Sequence, residues 1–150
     1  MLYSAGIIPF RLNENGEMEF FLGHPGGNHW RSRHLWMFLK GCVSGEESWQ
    51  ETAIREFTEE SKVEFPYDDV ESKLIPLGSV LQNSRKTTIA FGLEYGDIDP
   101  KKCSSNLSED GSCYEIDAYE WMNFDKVKEV THPTHIGFYE QLMQMFNEYN

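Results

Sequence analysis

Four charged side chains near the middle of the chain have the types and spacing of a cation site. They are Arg55, Glu56, Glu59 and Glu60. In a helix, residues three and four positions apart share a face, so the three carboxylates would converge. Like charges at that separation repel each other, and carboxylate oxygens suit a hard cation such as Mg²⁺ or Mn²⁺. The cluster therefore indicates a metal site of the kind that handles phosphates.

A helix must carry these residues, and the sequence predicts one over residues 48–61. The segment from Gly41 to Val63 reads GCVSGEESWQETAIREFTEESKV, a glycine turn followed by the helix. An acidic amphipathic helix on the protein surface is the simpler alternative, and it accounts for the apolar spacing. Its buried side would consist of Trp49, Ala53, Ile54 and Phe57.

Apolar runs and turn signals around this segment predict strands and a closing helix. A short apolar run at residues 36–39 leads towards the glutamates. Strands are predicted at residues 3–12, 18–23, 74–81, 87–95 and 114–122, and an amphipathic helix at residues 134–149. This order predicts an α/β (α+β) fold in which helices flank a mixed sheet.

The central segment resembles the Nudix box, G-x5-E-x7-R-E-U-x-E-E-x-G-U, where U is a bulky apolar residue. The matching positions are Gly41, Glu47, Arg55, Glu56, Phe57, Glu59, Glu60 and Val63. A surface helix alone would not require this match. One position differs, because Lys62 stands where the pattern has its last glycine. Glycine adopts a left-handed backbone cheaply just past a helix, so Lys62 would cost about 1 kcal/mol there.

The resemblance to the Nudix family implies an αβα sandwich and a reaction. The reaction is hydrolysis of a pyrophosphate bond in a nucleoside diphosphate linked to another moiety, with Mg²⁺ or Mn²⁺ as cofactor. The substrate would be a small nucleotide, namely a dinucleoside polyphosphate, an ADP-ribose-type nucleotide sugar or a nucleoside triphosphate. The arrangement most resembles the branch that includes diadenosine tetraphosphate hydrolases and members similar to nucleoside-triphosphate pyrophosphohydrolases. The alternative is a non-catalytic module of the same fold that binds a nucleotide or a protein.

The resemblance also implies roles for the charged residues of the box. Glu56 and Glu60, one helical turn apart, are expected metal ligands, and Glu56 is also a candidate catalytic residue. Glu59 is expected to be a further ligand or the catalytic general base. Glu47 and Arg55 are expected to be structural, forming an ion pair that holds the loop and the helix together.

A further acidic residue lies outside the box. Glu115 is in the segment EIDAYEW, ahead of Trp121, where relatives often supply another metal ligand. A solvated glutamate on a strand edge is the alternative for this position.

Three residues are candidates for substrate binding, namely Lys40, Gly41 and Trp30. Lys40 directly precedes Gly41 at the start of the box, and a cation there would favour a phosphate in a chain with few cations. A surface lysine is the alternative. Trp30 lies in a glycine-flanked loop, where its indole could stack on an adenine or could anchor the loop by packing on an apolar edge.

Composition restricts the class of partner. The chain of 150 residues, predicted to be one domain over residues 1–150, has 25 acidic and 13 basic residues and a formal net charge of −12. This charge disfavours a nucleic-acid polymer or an anionic membrane as partner. We expect a cytoplasmic protein, because the start lacks the basic region of a signal peptide and no apolar run is long enough to span a membrane. The three cysteines are expected to be reduced thiols, and a homodimer is compatible with the resemblance.

Overall fold

The computed structural model describes residues 1–26, 35–66, 68–107, 111 and 114–147. Within these residues the chain forms strands and helices that alternate around one sheet. The strands are β1 (Leu2–Leu12), β2 (Met18–Pro25), β3 (Leu39–Cys42), β4 (Ile75–Asn83), β5 (Lys86–Glu94) and β6 (Ile116–Asn123). The α-helices are α1 (Trp49–Ser61), α2 (Val70–Lys73), α3 (Phe124–Val130) and α4 (Ile136–Asn147), with 3₁₀ turns at Pro100–Lys102 and Pro133–His135.

The first strand lies at the centre of a mixed sheet. The strand order is β4-β5-β1-β2-β6, and β3 pairs with the first half of β1 beside β2. The pair β1 and β5 is parallel, whereas β2, β3, β4 and β6 make antiparallel pairs. Because β3 runs directly into the loop before α1, the centre of the sheet fixes where that helix begins.

Helices cover both faces of this sheet. Alternate residues of β1 point to opposite faces, so Ile7 packs on the face covered by α1 and Ile8 on the face covered by α4. Phe57 of α1 and Tyr139 of α4 are fully buried against these two faces. The arrangement is the αβα sandwich with a mixed sheet that the sequence predicts.

Several boundaries differ from the prediction. The strand near residues 36–39 is β3, which begins at Leu39 and extends into the box, because its backbone pairs with β1. The helices α2 and α3 were not predicted. They have four and seven residues, which is too short for a helical period to stand out in the sequence. Trp49 was predicted to be buried, but it is 49% exposed and stacks on Tyr3 at the start of α1.

The closing helix begins later than predicted. A 3₁₀ turn at Pro133–His135 precedes it, and α4 is described as far as Asn147. Residues 148–150 lie outside the described part of the chain. Among the described residues, no helix has the length and apolar character needed to cross a membrane.

Candidate functional site

The helix α1 begins at a capping box that fixes its first turn. Ser48 Oγ accepts a hydrogen bond from the backbone N–H of Glu51 at 3.1 Å, and the Glu51 carboxylate accepts one from the N–H of Ser48 at 3.0 Å. This reciprocal pair satisfies donors that the first turn of a helix leaves without partners. The start of the helix, and with it the face that carries Glu56 and Glu60, is therefore defined locally.

Arg55 ties the loop before α1 to the helix. Its Nε donates to Glu47 Oε2 at 2.7 Å and its Nη2 donates to Glu47 Oε1 at 2.9 Å. The predicted ion pair is thus present in the bidentate geometry that suits a guanidinium and a carboxylate. Glu47 also accepts hydrogen bonds from Thr52 Oγ1 at 3.0 Å and from the Ser44 N–H at 3.3 Å. The hydrogen bonds from Arg55 are the main reason that the pKa of Glu47 falls to about 2.

The same guanidinium also binds two of the glutamates of the box. Arg55 Nη1 donates to Glu56 Oε1 at 2.9 Å and to both carboxylate oxygens of Glu59 at 3.2 Å. The Glu59 side chain is 46% exposed, whereas that of Glu56 is 15% exposed. Glu56 and Glu59 thus bind the same nitrogen of Arg55, and Glu59 is the more exposed of the two. Within the described residues, no three His, Cys, Asp or Glu side chains stand as a ready-made ligand set.

Glu56 lies against Gly41. A Cβ atom at position 41 would overlap the Glu56 carboxylate, so a larger residue there would force this side chain to move. Burial is the main cause that raises the pKa of Glu56, and the charges of Glu59 and Glu115 add to the rise while Arg55 opposes it. The first glycine of the box thus provides space for a half-buried carboxylate, where the sequence suggested substrate binding.

Glu60 shares a small cavity with two residues that are distant in sequence. The cavity has a volume of about 170 Å³, and Lys40 of β3 and Glu115 before β6 line it together with Glu60. Burial raises the pKa of Glu60 to about 8, with further contributions from the charges of Glu56 and Glu115 and an opposing one from Lys40. Glu115 itself is exposed. The structure therefore brings together the two box glutamates, Lys40 and Glu115, all of which the sequence selected.

A second lysine lies beside Lys40. Burial lowers the pKa of Lys40 to about 7, and the neighbouring charge of Lys86, at the start of β5, is the next largest cause. Lys40 and Lys86 are thus two neighbouring basic side chains in a chain with a net charge of −12. Sequence reasoning missed Lys86, because β3 and β5 come together only through their pairing with β1.

Trp30, the remaining candidate, lies outside the described residues.

The arrangement defines a class of protein, and comparison with known families identifies it. The model of the NUDIX domain matches residues 3–142. The chain belongs to the Nudix family. No curated protein matches the chain.

Solved structures share the fold at low sequence identity. The structure of a C. elegans Ap4A hydrolase binary complex has a TM-score of 0.67 and 18% identity, and the match covers 97% of this chain and 100% of that one. The MutT protein from Methanosarcina mazei Go1 has a TM-score of 0.66 and 22% identity, with coverage of 96% and 94%. The NUDIX domain of Shewanella oneidensis NrtR, complexed with ADP ribose, has a TM-score of 0.63 and 16% identity, with coverage of 99% and 88%.

Proposed function

We propose that this Nudix protein is a divalent-metal-dependent hydrolase that cleaves a pyrophosphate bond in a nucleoside diphosphate linked to another moiety. The observation that carries the proposal is the meeting of Glu60, Glu115 and Lys40 around one cavity, with Glu56 near enough for its charge to affect Glu60. Carboxylates and a cation in one cavity are the groups that a metal-assisted attack on a phosphate needs.

The donor set fits Mg²⁺ or Mn²⁺. Burial opposes the ionisation of Glu60, and its carboxylate neighbours Glu56 and Glu115 add to this effect. A hard cation held by Glu56, Glu60 and Glu115 would offset that repulsion through oxygen ligands. When bound, such an ion polarises a phosphoryl oxygen and lowers the pKa of a coordinated water.

The remaining charged residues have supporting roles in the proposal. Glu59, exposed on the same helix, is a further ligand or the general base. Arg55 and Glu47 hold the loop that carries Gly41 against α1, so that Glu56 keeps its orientation. Lys40 and Lys86 bind a substrate phosphate and stabilise the charge that develops as the bond breaks.

The ligands of similar structures suggest which substrates to test. One similar structure is an Ap4A hydrolase and another is a domain complexed with ADP ribose. Dinucleoside polyphosphates, ADP-ribose-type nucleotide sugars and nucleoside triphosphates are therefore the substrates to test.

A module that binds a nucleotide without cleaving it is the second candidate. The contacts of Arg55 with both Glu56 and Glu59 favour it, because they engage two of the proposed catalytic carboxylates.

The deciding experiment measures phosphate-containing products from diadenosine tetraphosphate, ADP-ribose, FAD and nucleoside triphosphates. Each reaction is run with Mg²⁺, with Mn²⁺ and with a chelator, and with the Glu60→Gln variant as matched control. Turnover that the chelator and the substitution both abolish supports the hydrolase. Nucleotide binding with no turnover across the panel supports the binding module.

A further inference from the structure

The residue that departs from the Nudix pattern has an unusual backbone. Lys62 ends α1 with φ 62° and ψ 17°, and among the described residues it is the one non-glycine with positive φ. Its N–H donates to the carbonyl of Thr58 at 2.8 Å. A glycine would adopt this left-handed conformation with less strain. Lys62 therefore adopts the left-handed conformation expected of the motif glycine, at a cost in free energy. A residue held in such a conformation suggests that its side chain has a function.

The Lys62 side chain reaches the segment before β6. Its Nζ donates to Asn106 Oδ1 at 2.5 Å. The backbone carbonyl of Asn106 in turn accepts a hydrogen bond from the N–H of Glu115 at 2.9 Å. One asparagine therefore connects the end of the helix that carries Glu60 to the backbone of Glu115.

Other hydrogen bonds hold the same segment in register. Ser105 Oγ accepts from the Ile116 N–H at 2.9 Å and donates to the Ile116 carbonyl at 3.1 Å. The Ser104 N–H donates to the carbonyl of Ser61, the last residue of α1, at 3.2 Å. The backbone around Glu115 is thus held relative to α1 by Asn106 and by the two serines that precede it.

We propose that Lys62 and Asn106 are positioning residues that set the Glu115 carboxylate opposite Glu56 and Glu60. The proposal rests on the proposed function, in which these three carboxylates hold a divalent cation. Glu115 is exposed and has no helix of its own to orient it, so its placement depends on how its backbone is held. Lys62 supplies the one side-chain contact between the end of α1 and Asn106 that the described residues show.

A purely structural role for Lys62 predicts something different. A lysine at the end of a helix also interacts favourably with the helix dipole and the last carbonyls. That effect would stabilise α1 regardless of whether residue 115 is acidic. The two roles are therefore distinguished by whether replacing Lys62 still changes Mn²⁺ affinity when Glu115 has also been replaced.

The test uses the full chain and Mn²⁺ as probe. Mn²⁺ affinity is measured by titration calorimetry or electron paramagnetic resonance for wild type, Lys62→Gly, Lys62→Arg and Glu115→Gln, and for Lys62→Gly combined with Glu115→Gln. We expect Lys62→Gly to bind Mn²⁺ about fivefold more weakly, the scale of the net contribution of one hydrogen bond at the surface. Lys62→Arg, which keeps a cationic donor, should restore most of the affinity.

The double variant decides between the roles. We expect Lys62→Gly to change nothing further once Glu115 is already Gln, because the two residues act through one contact chain. Urea unfolding should show that Lys62→Gly is no less stable than wild type, so that misfolding does not explain its weaker binding. Unchanged Mn²⁺ affinity in Lys62→Gly, or an equal loss in the Glu115→Gln background, would overturn the positioning role alone. A wild type that does not bind Mn²⁺ would overturn the proposed function as well.

Discussion

Gly41 and Glu56 come so close together that a Cβ atom at position 41 would overlap the Glu56 carboxylate. The contact joins the strand β3 to the helix α1, beside the cavity that Lys40 and Glu60 line. The glycine therefore has a structural contact with a carboxylate of the box, and its predicted role in substrate binding stays a prediction.

Replacing this glycine should displace the carboxylate. In Gly41→Ala the new methyl group overlaps Glu56, which must move away, and we expect turnover to fall by at least about tenfold. The measurement is kcat on the best substrate of the panel, with Mn²⁺ affinity beside it. Gly137→Ala is a matched control, because a Cβ there has nothing within 4 Å and lies in α4. Equal activity in Gly41→Ala and Gly137→Ala would show that the Glu56 position is unimportant.

Glu60→Gln should separate catalysis from folding. The amide keeps the shape of the side chain but removes a charged group from the site, and we expect kcat to fall by at least about a hundredfold. Circular dichroism and urea unfolding should show a folded protein. Near-normal turnover in this variant would refute the assigned site.

The ion pair of Arg55 should matter for both stability and activity. Arg55→Lys cannot form the bidentate contact with Glu47, so we expect the free energy of unfolding to fall. Urea denaturation measures this loss, and the pKa of Glu47 should rise at the same time. Arg85→Lys, in the exposed turn before β5, is the control and should leave stability unchanged. If both variants are equally stable, the bidentate contact of Arg55 with Glu47 does not hold the loop before α1 in place.

The lysine pair should act on substrate binding. We expect Lys86→Met to raise KM by about tenfold, because one of two adjacent cations facing a phosphate is lost. It should also raise the pKa of Lys40, since the charge of Lys86 is among the causes that lower it. Steady-state kinetics and NMR titration of the lysine side chain test the two effects. Lys102→Met, at the end of a surface 3₁₀ turn, is the control. An unchanged KM in Lys86→Met would remove Lys86 from the site.

A buried histidine should make the fold sensitive to acid. Burial, with the charges of Lys40, His132 and Lys86, lowers the pKa of His135 from 6.5 to about 3. The unfolded chain therefore binds more protons than the folded one between these values, and stability is lost as pH falls below 6.5. At pH 5 the loss from this group is about 2 kcal/mol. Urea unfolding at pH 7 and pH 5 should show a smaller pH dependence in His135→Leu than in wild type. Equal pH dependence would contradict the assignment.

The sequence predicts the fold and the box well because both depend on local spacing. The capping box at Ser48 and the pair of Glu47 with Arg55 lie within one segment of the chain. The contacts that the sequence does not predict are those that strand pairing creates between distant segments. Lys86 reaches Lys40 only because β1 pairs with β3 on one side and β5 on the other.

Other departures arise from competition among charges and from exposure. Arg55 binds Glu47, Glu56 and Glu59 together, and helical spacing alone does not show how its hydrogen bonds are divided among them. Trp49 is half exposed in the first turn of α1, where it stacks on the half-exposed Tyr3, although helical periodicity places it on the buried side. The metal, the site roles, the cytoplasmic location and the homodimer stay predictions.

The parallel pairing of β1 with β5 has a consequence for synthesis. Leu2 of the first strand pairs with Lys86, so the central strand of the sheet lacks its parallel partner until β5 has been made. Pairings between residues so far apart in the chain close slowly, because the entropy of a long loop is lost before the contact forms. We therefore expect the apolar first strand to remain accessible to chaperones on the ribosome until roughly two thirds of the chain has emerged.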